Sequence, residues 1–92
     1  MDKIKELLKD SSTPIIDVRT IAEFEEGNVP GSINIPLDSV PDNLQQFKDY
    51  KVPVVLCCRS GNRSGQAMEW LKSQGVENLH NGMGYTDVLE LM

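Results

Sequence analysis

The sequence predicts an α/β fold in which a small parallel sheet carries helices on both faces. Three observations support this: short β-branched runs alternate with helical patterns, one central run is continuously apolar, and Gly or Pro separates most segments. Strands joined through helices run parallel, and ligands then bind at the carboxyl ends of the strands. With 92 residues, we expect one domain that spans residues 1–92.

The first half of the chain holds two predicted strands separated by helical segments. Residues 15–18 are rich in β-branched side chains and follow Pro14, which is typical of a short buried strand. The helix after this strand is expected to stop at Gly27, because glycine is common just beyond a helix C-terminus. In chain order, the predicted elements are an amphipathic helix over 1–10, a strand over 15–18, a helix over 20–26, a strand over 32–35 that Pro36 ends, and helical segments over 37–47 interrupted near Pro41.

The second half is organised around residues 52–57, the most apolar run in the chain. Its pattern is continuous rather than alternating, which favours a central strand covered on both faces. The remaining predicted elements are a helix from Asn62 or Arg63 to Gln74 with Gly75 as its stop, a short strand reached through 76–81, and a closing helix over 87–92.

The acidic composition excludes some classes of partner. The chain carries 9 basic and 14 acidic residues, a formal net charge of −5, and has a pI near 4.7. Nucleic acids and anionic membranes both select basic surfaces, so neither is expected as a partner. The first residues contain no apolar stretch of signal-peptide or membrane-spanning length, so the expected compartment is the cytoplasm. No heptad pattern or apolar interface stripe indicates an oligomer, and we expect a monomer.

Few residues outside the central loop indicate chemistry. Cys57 and Cys58 are expected as free thiols that point to opposite sides of the strand, because a disulfide between neighbours would close a strained ring. His80, the only histidine, is expected to serve in packing. No Cys-x-x-Cys pair, histidine cluster or phosphate-binding glycine loop is present, so neither a metal nor a nucleotide cofactor is predicted. The charged residues expected in caps and ion pairs rather than in catalysis are Asp17, Arg19 and Glu23.

The segment that carries chemistry runs from the central strand through a tight polar loop into a helix, and it places Cys58 at the carboxyl end of the strand. A loop ahead of a helix N-terminus points several N–H groups inward, and with the helix dipole these favour negative charge at its centre. Thiolate is the reactive form of cysteine, and such surroundings and nearby cations lower the thiol pKa. The candidate site residues are Cys58 as the nucleophile, with Arg59, Ser60, Gly61, Asn62, Arg63 and Ser64 as the substrate-binding loop.

The chain resembles the single-domain form of the rhodanese (thiosulfate sulfurtransferase) family over nearly its whole length. The resemblance implies that Cys58 accepts a sulfane sulfur from a small donor such as thiosulfate and becomes a persulfide cradled by the amides of residues 59–63. It also implies transfer to cyanide or a thiol, including a protein thiol such as that of thioredoxin. Three stretches carry the resemblance: residues 16–19 with Glu23, Phe24 and Gly27; residues 29–36; and residues 58–64 with Ala67 and Leu71.

The sequence departs from the family pattern at two places. Asn28 stands where many members have a histidine before the Val-Pro-Gly stretch. The last loop reads Met83-Gly84-Tyr85, with Val88 nearby, where many members have paired glycines, an apolar residue and a tryptophan. The second difference concerns the lining of the pocket and hence substrate preference.

Two other functions remain open from the sequence. A cysteine phosphatase or arsenate reductase also holds its cysteine in an amide cradle, but such enzymes place an oxyanion-gripping arginine where this chain has Ser64, and Arg63 comes one position early. A non-catalytic binding module with the same fold is the other alternative. Retention of Cys58 and its neighbouring cations disfavours that module.

Overall fold

The computed structural model describes residues 2–92 and has a parallel sheet of four strands at its centre. The strand order is β2-β1-β3-β4, and every neighbouring pair is parallel. This arrangement confirms the predicted α/β class. The strands are β1 (Ile15–Asp17), β2 (Ile33–Asn34), β3 (Val54–Cys58) and β4 (Leu79–Gly84); the helices are α1 (Asp2–Leu8), α2 (Ile21–Glu26), α3 (Leu44–Asp49), α4 (Asn62–Ser73) and α5 (Tyr85–Leu91); and 3-10 turns occupy Leu37–Ser39 and Pro41–Asn43.

Two apolar clusters lie on opposite faces of the sheet, because successive strand residues point in opposite directions. One contains Leu56 of β3 and Leu71 of α4, and the other contains Val55 of β3 and Val88 of α5. All five residues of β3 are buried, as expected for a central strand. The prediction of helices on both faces is therefore confirmed.

The last two elements begin and end at different residues than the pattern predicts. Strand β4 continues through Gly84, and α5 begins at Tyr85 rather than at residue 87. The Asp87 carboxylate accepts a hydrogen bond from the Gly84 N–H at 2.9 Å, which satisfies a donor at the start of the helix. Gly82 and Gly84 thus belong to β4, and Gly84 is also the N-cap of α5.

A buried ion pair joins β1 to α2 at the carboxyl edge of the sheet. Arg19 Nη2 lies 2.7 Å from Asp17 Oδ2 and also donates to the Gly27 carbonyl at 2.7 Å. The Arg19 guanidinium stacks on the Tyr85 ring at 3.8 Å from its centroid. These contacts confirm a structural role for Asp17 and Arg19, and they fix the wall beside the β3 loop. Gly27 does end α2, but with an extended φ of 166° rather than the left-handed conformation.

None of the helices within residues 2–92 is both long and apolar enough to cross a membrane.

Candidate active site

Cys58 is the last residue of β3, at the point where the chain turns into α4. Its residue surface is 1% exposed. The turn depends on Gly61, whose φ of 99° lies in the left-handed region that side chains rarely adopt. Because of this turn, the backbone after Cys58 folds back over the sulfur.

Hydrogen-bond donors surround the Cys58 sulfur. The N–H of Gly61 lies 3.0 Å from Sγ, the N–H of Ser64 lies 3.4 Å away, and Ser64 Oγ also lies at 3.4 Å. Burial by itself raises the thiol pKa, but the Ser64 hydroxyl and the N–H groups of Ser64, Ser60 and Gly61 lower it further than burial raises it. The net result is a Cys58 pKa below its ordinary value, so the loop stabilises a negatively charged sulfur.

Cys57 provides the contrast within the same strand. Its side chain lies in the apolar cluster on the opposite face, with Val55 and Val88. Burial, reinforced by the nearby Asp17 carboxylate, raises the pKa of Cys57 to about 12. The predicted opposite orientation of the two thiols is confirmed, and only Cys58 has surroundings that favour a thiolate.

Close packing between the β3 loop and the end of β4 also shapes the site. A Cβ atom at Gly84 would lie 2.5 Å from the Arg59 carbonyl oxygen, so only glycine fits there without moving the loop. The Met83 side chain lies against Gly61, and Met83 itself has a positive φ of 71°. The segment that contains Met83 and Gly84, where the sequence departs from the family pattern, therefore packs directly on the loop between β3 and α4.

Asn28, which stands where many family members have a histidine, makes a local hydrogen bond. Its side-chain amide donates a hydrogen bond to the Phe24 carbonyl at 2.8 Å, at the end of α2. Asn28 thus satisfies one carbonyl of the helix C-terminus.

The structure brings together some of the predicted loop residues and separates others. Arg63 forms an ion pair with Glu23, with Nη1 2.6 Å from Oε1 and Nη2 3.0 Å from Oε2. The Asn62 side chain accepts a hydrogen bond from Gln66 at 3.0 Å on the exposed side of α4. The sequence predicts Arg63 as part of the substrate-binding loop, and in the structure its guanidinium has a carboxylate partner.

Arg59 is exposed and, within residues 2–92, forms no ion pair. It lines a cleft of about 190 Å³, and a second cleft of about 130 Å³ lies on the other side of the Glu23–Arg63 pair. Both clefts open at the carboxyl edge of the sheet, as predicted for a ligand site. The lining residues are Arg19, Glu23, Glu26, Arg59 and Tyr85 in the first cleft, and Val18, Thr20, Pro36, Leu37, Asp38 and Arg63 in the second.

Asn81 is the residue of this region that sequence reasoning missed. It lies on β4 opposite Leu56, and its side chain contacts the β3 loop. Its Oδ1 accepts a hydrogen bond from Ser64 Oγ at 2.7 Å, and its Nδ2 donates to the Gly61 carbonyl at 3.0 Å. No motif marks Asn81, because only the pairing of β3 with β4 brings it to the loop.

No cluster of His, Cys, Asp or Glu within the described part of the chain has the arrangement of a metal site. The hydrogen bonds to Sγ support the chemistry of a stabilised thiolate, and the loop that follows contributes Arg59 to one small cleft and Arg63 to the other.

Comparisons with known proteins identify a matching family and related chains. Residues 1–91 match the rhodanese-like domain. The thiosulfate sulfurtransferase PspE of Escherichia coli K12 is 35% identical over 74 residues, which cover 79% of this chain and 71% of PspE. Three other curated relatives are longer, and the chain spans only 38%, 17% and 15% of their lengths.

Solved structures show the same fold. The human single-domain sulfurtransferase TSTD1 aligns with a TM-score of 0.80 at 27% identity, covering 98% of this chain and 92% of TSTD1. A rhodanese with anions from E. coli aligns with a TM-score of 0.74 at 34% identity, covering 83% of this chain and 91% of that protein.

Proposed function

The chain belongs to the rhodanese-like domain family, and we propose that it is a sulfurtransferase that carries a sulfane sulfur as a persulfide on Cys58. The observation that carries this proposal is that the N–H groups of Gly61 and Ser64 are directed at Sγ and that Ser64 Oγ lies 3.4 Å from it. A thiolate and a persulfide anion are both negatively charged sulfur species. The same donors therefore stabilise both states of the proposed cycle.

The proposed cycle has two displacement steps. The Cys58 thiolate attacks the outer sulfur of thiosulfate, a new S–S bond forms, and the bond to the sulfonate sulfur breaks so that sulfite leaves with the electron pair. An acceptor such as cyanide, or the thiolate of another molecule, then attacks the outer sulfur of the persulfide. Thiocyanate or a new persulfide leaves, and the Cys58 thiolate is regenerated without any further oxidant or reductant.

A small anionic donor fits the site best. Since Cys58 is 1% exposed, a donor must present its reacting sulfur at an end of the molecule, as thiosulfate does. The exposed Arg59 guanidinium attracts anions to the adjoining cleft despite the acidic overall charge. The E. coli rhodanese structure with anions and the name of PspE support the same class of donor.

The unit of the proposed activity is one domain over residues 1–92. We place the activity in a reducing compartment, the cytoplasm, because free thiols persist there. The acceptor is proposed to be a thiol, either small or on a protein.

The phosphatase or arsenate reductase alternative is weaker in this geometry. Such chemistry requires an arginine that grips a tetrahedral oxyanion with two hydrogen bonds. Arg63 already makes two such bonds to the Glu23 carboxylate, and Ser64 stands at the next position. The non-catalytic alternative gives no reason for hydrogen-bond donors around a buried sulfur.

The test is the formation of thiocyanate from thiosulfate and cyanide. We expect the native protein to be active and Cys58→Ser to fall to the uncatalysed rate, because the nucleophile is absent. Cys57→Ala is the matched control and should retain activity, since its thiol lies on the opposite face. Full thiocyanate formation by Cys58→Ser would refute the proposal. So would a native protein that forms no thiocyanate but hydrolyses a phosphatase substrate through Cys58.

A further inference from the structure

We propose that Asn81 is a positioning residue that holds the Gly61 peptide against the Cys58 sulfur and accepts the Ser64 hydroxyl hydrogen when Cys58 is a thiol. The inference rests on the proposed function of Cys58 and adds a residue from a different strand to that site. Within residues 2–92, the hydrogen bonds of the Asn81 side chain go to Ser64, Gly61 and Met83. The first two of these partners are also the residues that contact Sγ.

The orientation of the Asn81 amide is fixed by two backbone groups. The Met83 N–H can only donate, and it lies 2.9 Å from Oδ1; the Gly61 carbonyl can only accept, and it lies 3.0 Å from Nδ2. A flipped amide would place like groups against each other at both contacts. Oδ1 is therefore the atom that faces Ser64 Oγ, at 2.7 Å.

The Ser64 hydroxyl has one hydrogen and two neighbours that can receive it. When Cys58 is a thiol, Ser64 donates to Asn81 and can accept a hydrogen bond from the S–H group. When Cys58 is a thiolate, the hydroxyl hydrogen rotates to the sulfur, and Asn81 Oδ1 keeps its bond from the Met83 N–H. The hydroxyl keeps its only proton in both states, but it is bonded to Asn81 only when Cys58 is a thiol. Asn81 therefore acts on the thiolate through the Gly61 peptide, whose carbonyl is bonded to Nδ2 in both states.

The Gly61 peptide is held by hydrogen bonds at both its carbonyl and its N–H. Its carbonyl accepts hydrogen bonds from Asn81 Nδ2 and from the Gly65 N–H at 2.9 Å, while its N–H points at Sγ from 3.0 Å. Because Gly61 has a left-handed φ and no side chain, these bonds restrict a peptide that would otherwise move easily. Asn81 therefore controls the direction of the Gly61 N–H, a group that stabilises negative sulfur.

Charged side chains from other elements lie in this region, but none of those described forms a hydrogen bond with the Asn81 side chain. Arg63 of α4 is paired with Glu23 of α2, and Arg19 is paired with Asp17 of β1. Arg59 is exposed on the cleft. A change at Asn81 therefore alters the hydrogen bonds of the loop and leaves these charges in place.

The test is the pH dependence of Cys58 alkylation by iodoacetamide, measured on Asn81→Ala in the Ser64→Ala background, on Ser64→Ala alone, on Asn81→Asp and on the native protein. Without the Ser64 hydroxyl, Asn81 acts only through the Gly61 peptide, so Asn81→Ala should raise the midpoint by about 0.5 to 1 pH unit above that of Ser64→Ala, which slows alkylation about three- to tenfold below the midpoint. The rise should be larger for Asn81→Asp, because its carboxylate keeps the Ser64 hydrogen and adds a negative charge near the thiolate. Unchanged midpoints in both variants would overturn the inference.

His80→Ala is the matched control, because His80 precedes Asn81 on β4 and its pKa is lowered by burial and then by Lys3 and Lys72, none of which belongs to the loop. Its midpoint should equal the native one, and an equal shift would overturn the specific role of Asn81. A second measurement uses the native protein: the Asn81 side-chain amide resonances in NMR should titrate with the Cys58 midpoint. Amide resonances that do not move would contradict the inference even if the variants fail to fold.

Alkylation requires a thiolate but no sulfur transfer. A normal midpoint in the Asn81 variants of an active sulfurtransferase would refute only the role of Asn81. A native protein that alkylates readily but never transfers sulfur would refute only the proposed function.

Discussion

At the scale of single residues, Cys57 and Cys58 show how surroundings rather than residue type decide reactivity. Both thiols are buried, yet the pKa of Cys57 rises to about 12 while that of Cys58 falls below its ordinary value. The difference lies in the hydrogen-bond donors, which surround Cys58 and are replaced at Cys57 by apolar side chains and a carboxylate. The loop thus favours the thiolate at Cys58, whereas the surroundings of Cys57 favour the neutral thiol.

Ser64→Ala tests this explanation at one donor. Because hydrogen bonds to the thiolate lower its pKa, loss of the hydroxyl should raise the Cys58 pKa and slow alkylation at a pH below the midpoint by about three- to tenfold. The measurement is the alkylation rate against pH. Ser73→Ala on the same helix removes a hydroxyl bonded only to local groups and should leave the profile unchanged. An identical profile for Ser64→Ala would show that the hydroxyl does not stabilise the charged sulfur.

At the scale of elements, α2 is held by a capping box and by the ion pair to α4. Thr20 Oγ1 accepts from the Glu23 N–H at 3.2 Å, and Glu23 Oε1 accepts from the Thr20 N–H at 3.2 Å. The same carboxylate binds Arg63. The Arg63 guanidinium, followed by Thr20, lowers the pKa of Glu23 to about 2. Glu23 therefore joins the wall of the cleft to the helix that follows the sulfur-binding loop.

Glu23→Gln tests the linkage between this carboxylate and stability. The folded protein binds the Glu23 proton less tightly than the unfolded chain, whose ordinary value is 4.5, so the contribution of Glu23 is complete above about pH 4.5 and is lost as the pH falls toward 2. We expect the native protein to exceed the variant in free energy of unfolding at neutral pH, and the difference to shrink across that range. Urea denaturation at several pH values measures it. Glu90→Gln on α5, outside these contacts, is the control, and a difference independent of pH would contradict the linkage.

At the scale of the whole molecule, local patterns predict the fold and point to the cysteine that we propose as the nucleophile, but they do not predict all of the candidate site. The β-branched runs and the stop at Gly75, which has a φ of 90°, are local features, and both appear as expected. The loop from Cys58 to Ser64 is also local, so its geometry around the sulfur follows from a strand, a glycine and a helix start. Its partners are distant along the chain: Glu23 lies 40 positions before Arg63, and Asn81 lies 17 positions after Ser64.

Distant partners depend on the order of the strands, which residue patterns do not specify. Pairing of β3 with β1 and β4 brings α2 and Asn81 to the loop from opposite sides. The sequence predicts Arg63 as a cation in the substrate-binding loop near Cys58. The fold pairs that cation with the Glu23 carboxylate. For the same reason, no sequence motif marks Asn81, although its side-chain amide is hydrogen-bonded to Ser64, Gly61 and Met83.

The most direct test of the central claim, that Cys58 carries the transferred sulfur, is the intact mass of the protein after treatment with thiosulfate. The native protein should gain the mass of one sulfur atom, fragmentation should locate it on Cys58 rather than Cys57, and cyanide should remove it. Cys58→Ser should gain nothing under the same conditions. A native protein that acquires no cyanide-removable sulfur, or a Cys58→Ser variant that acquires the same amount, would contradict the account.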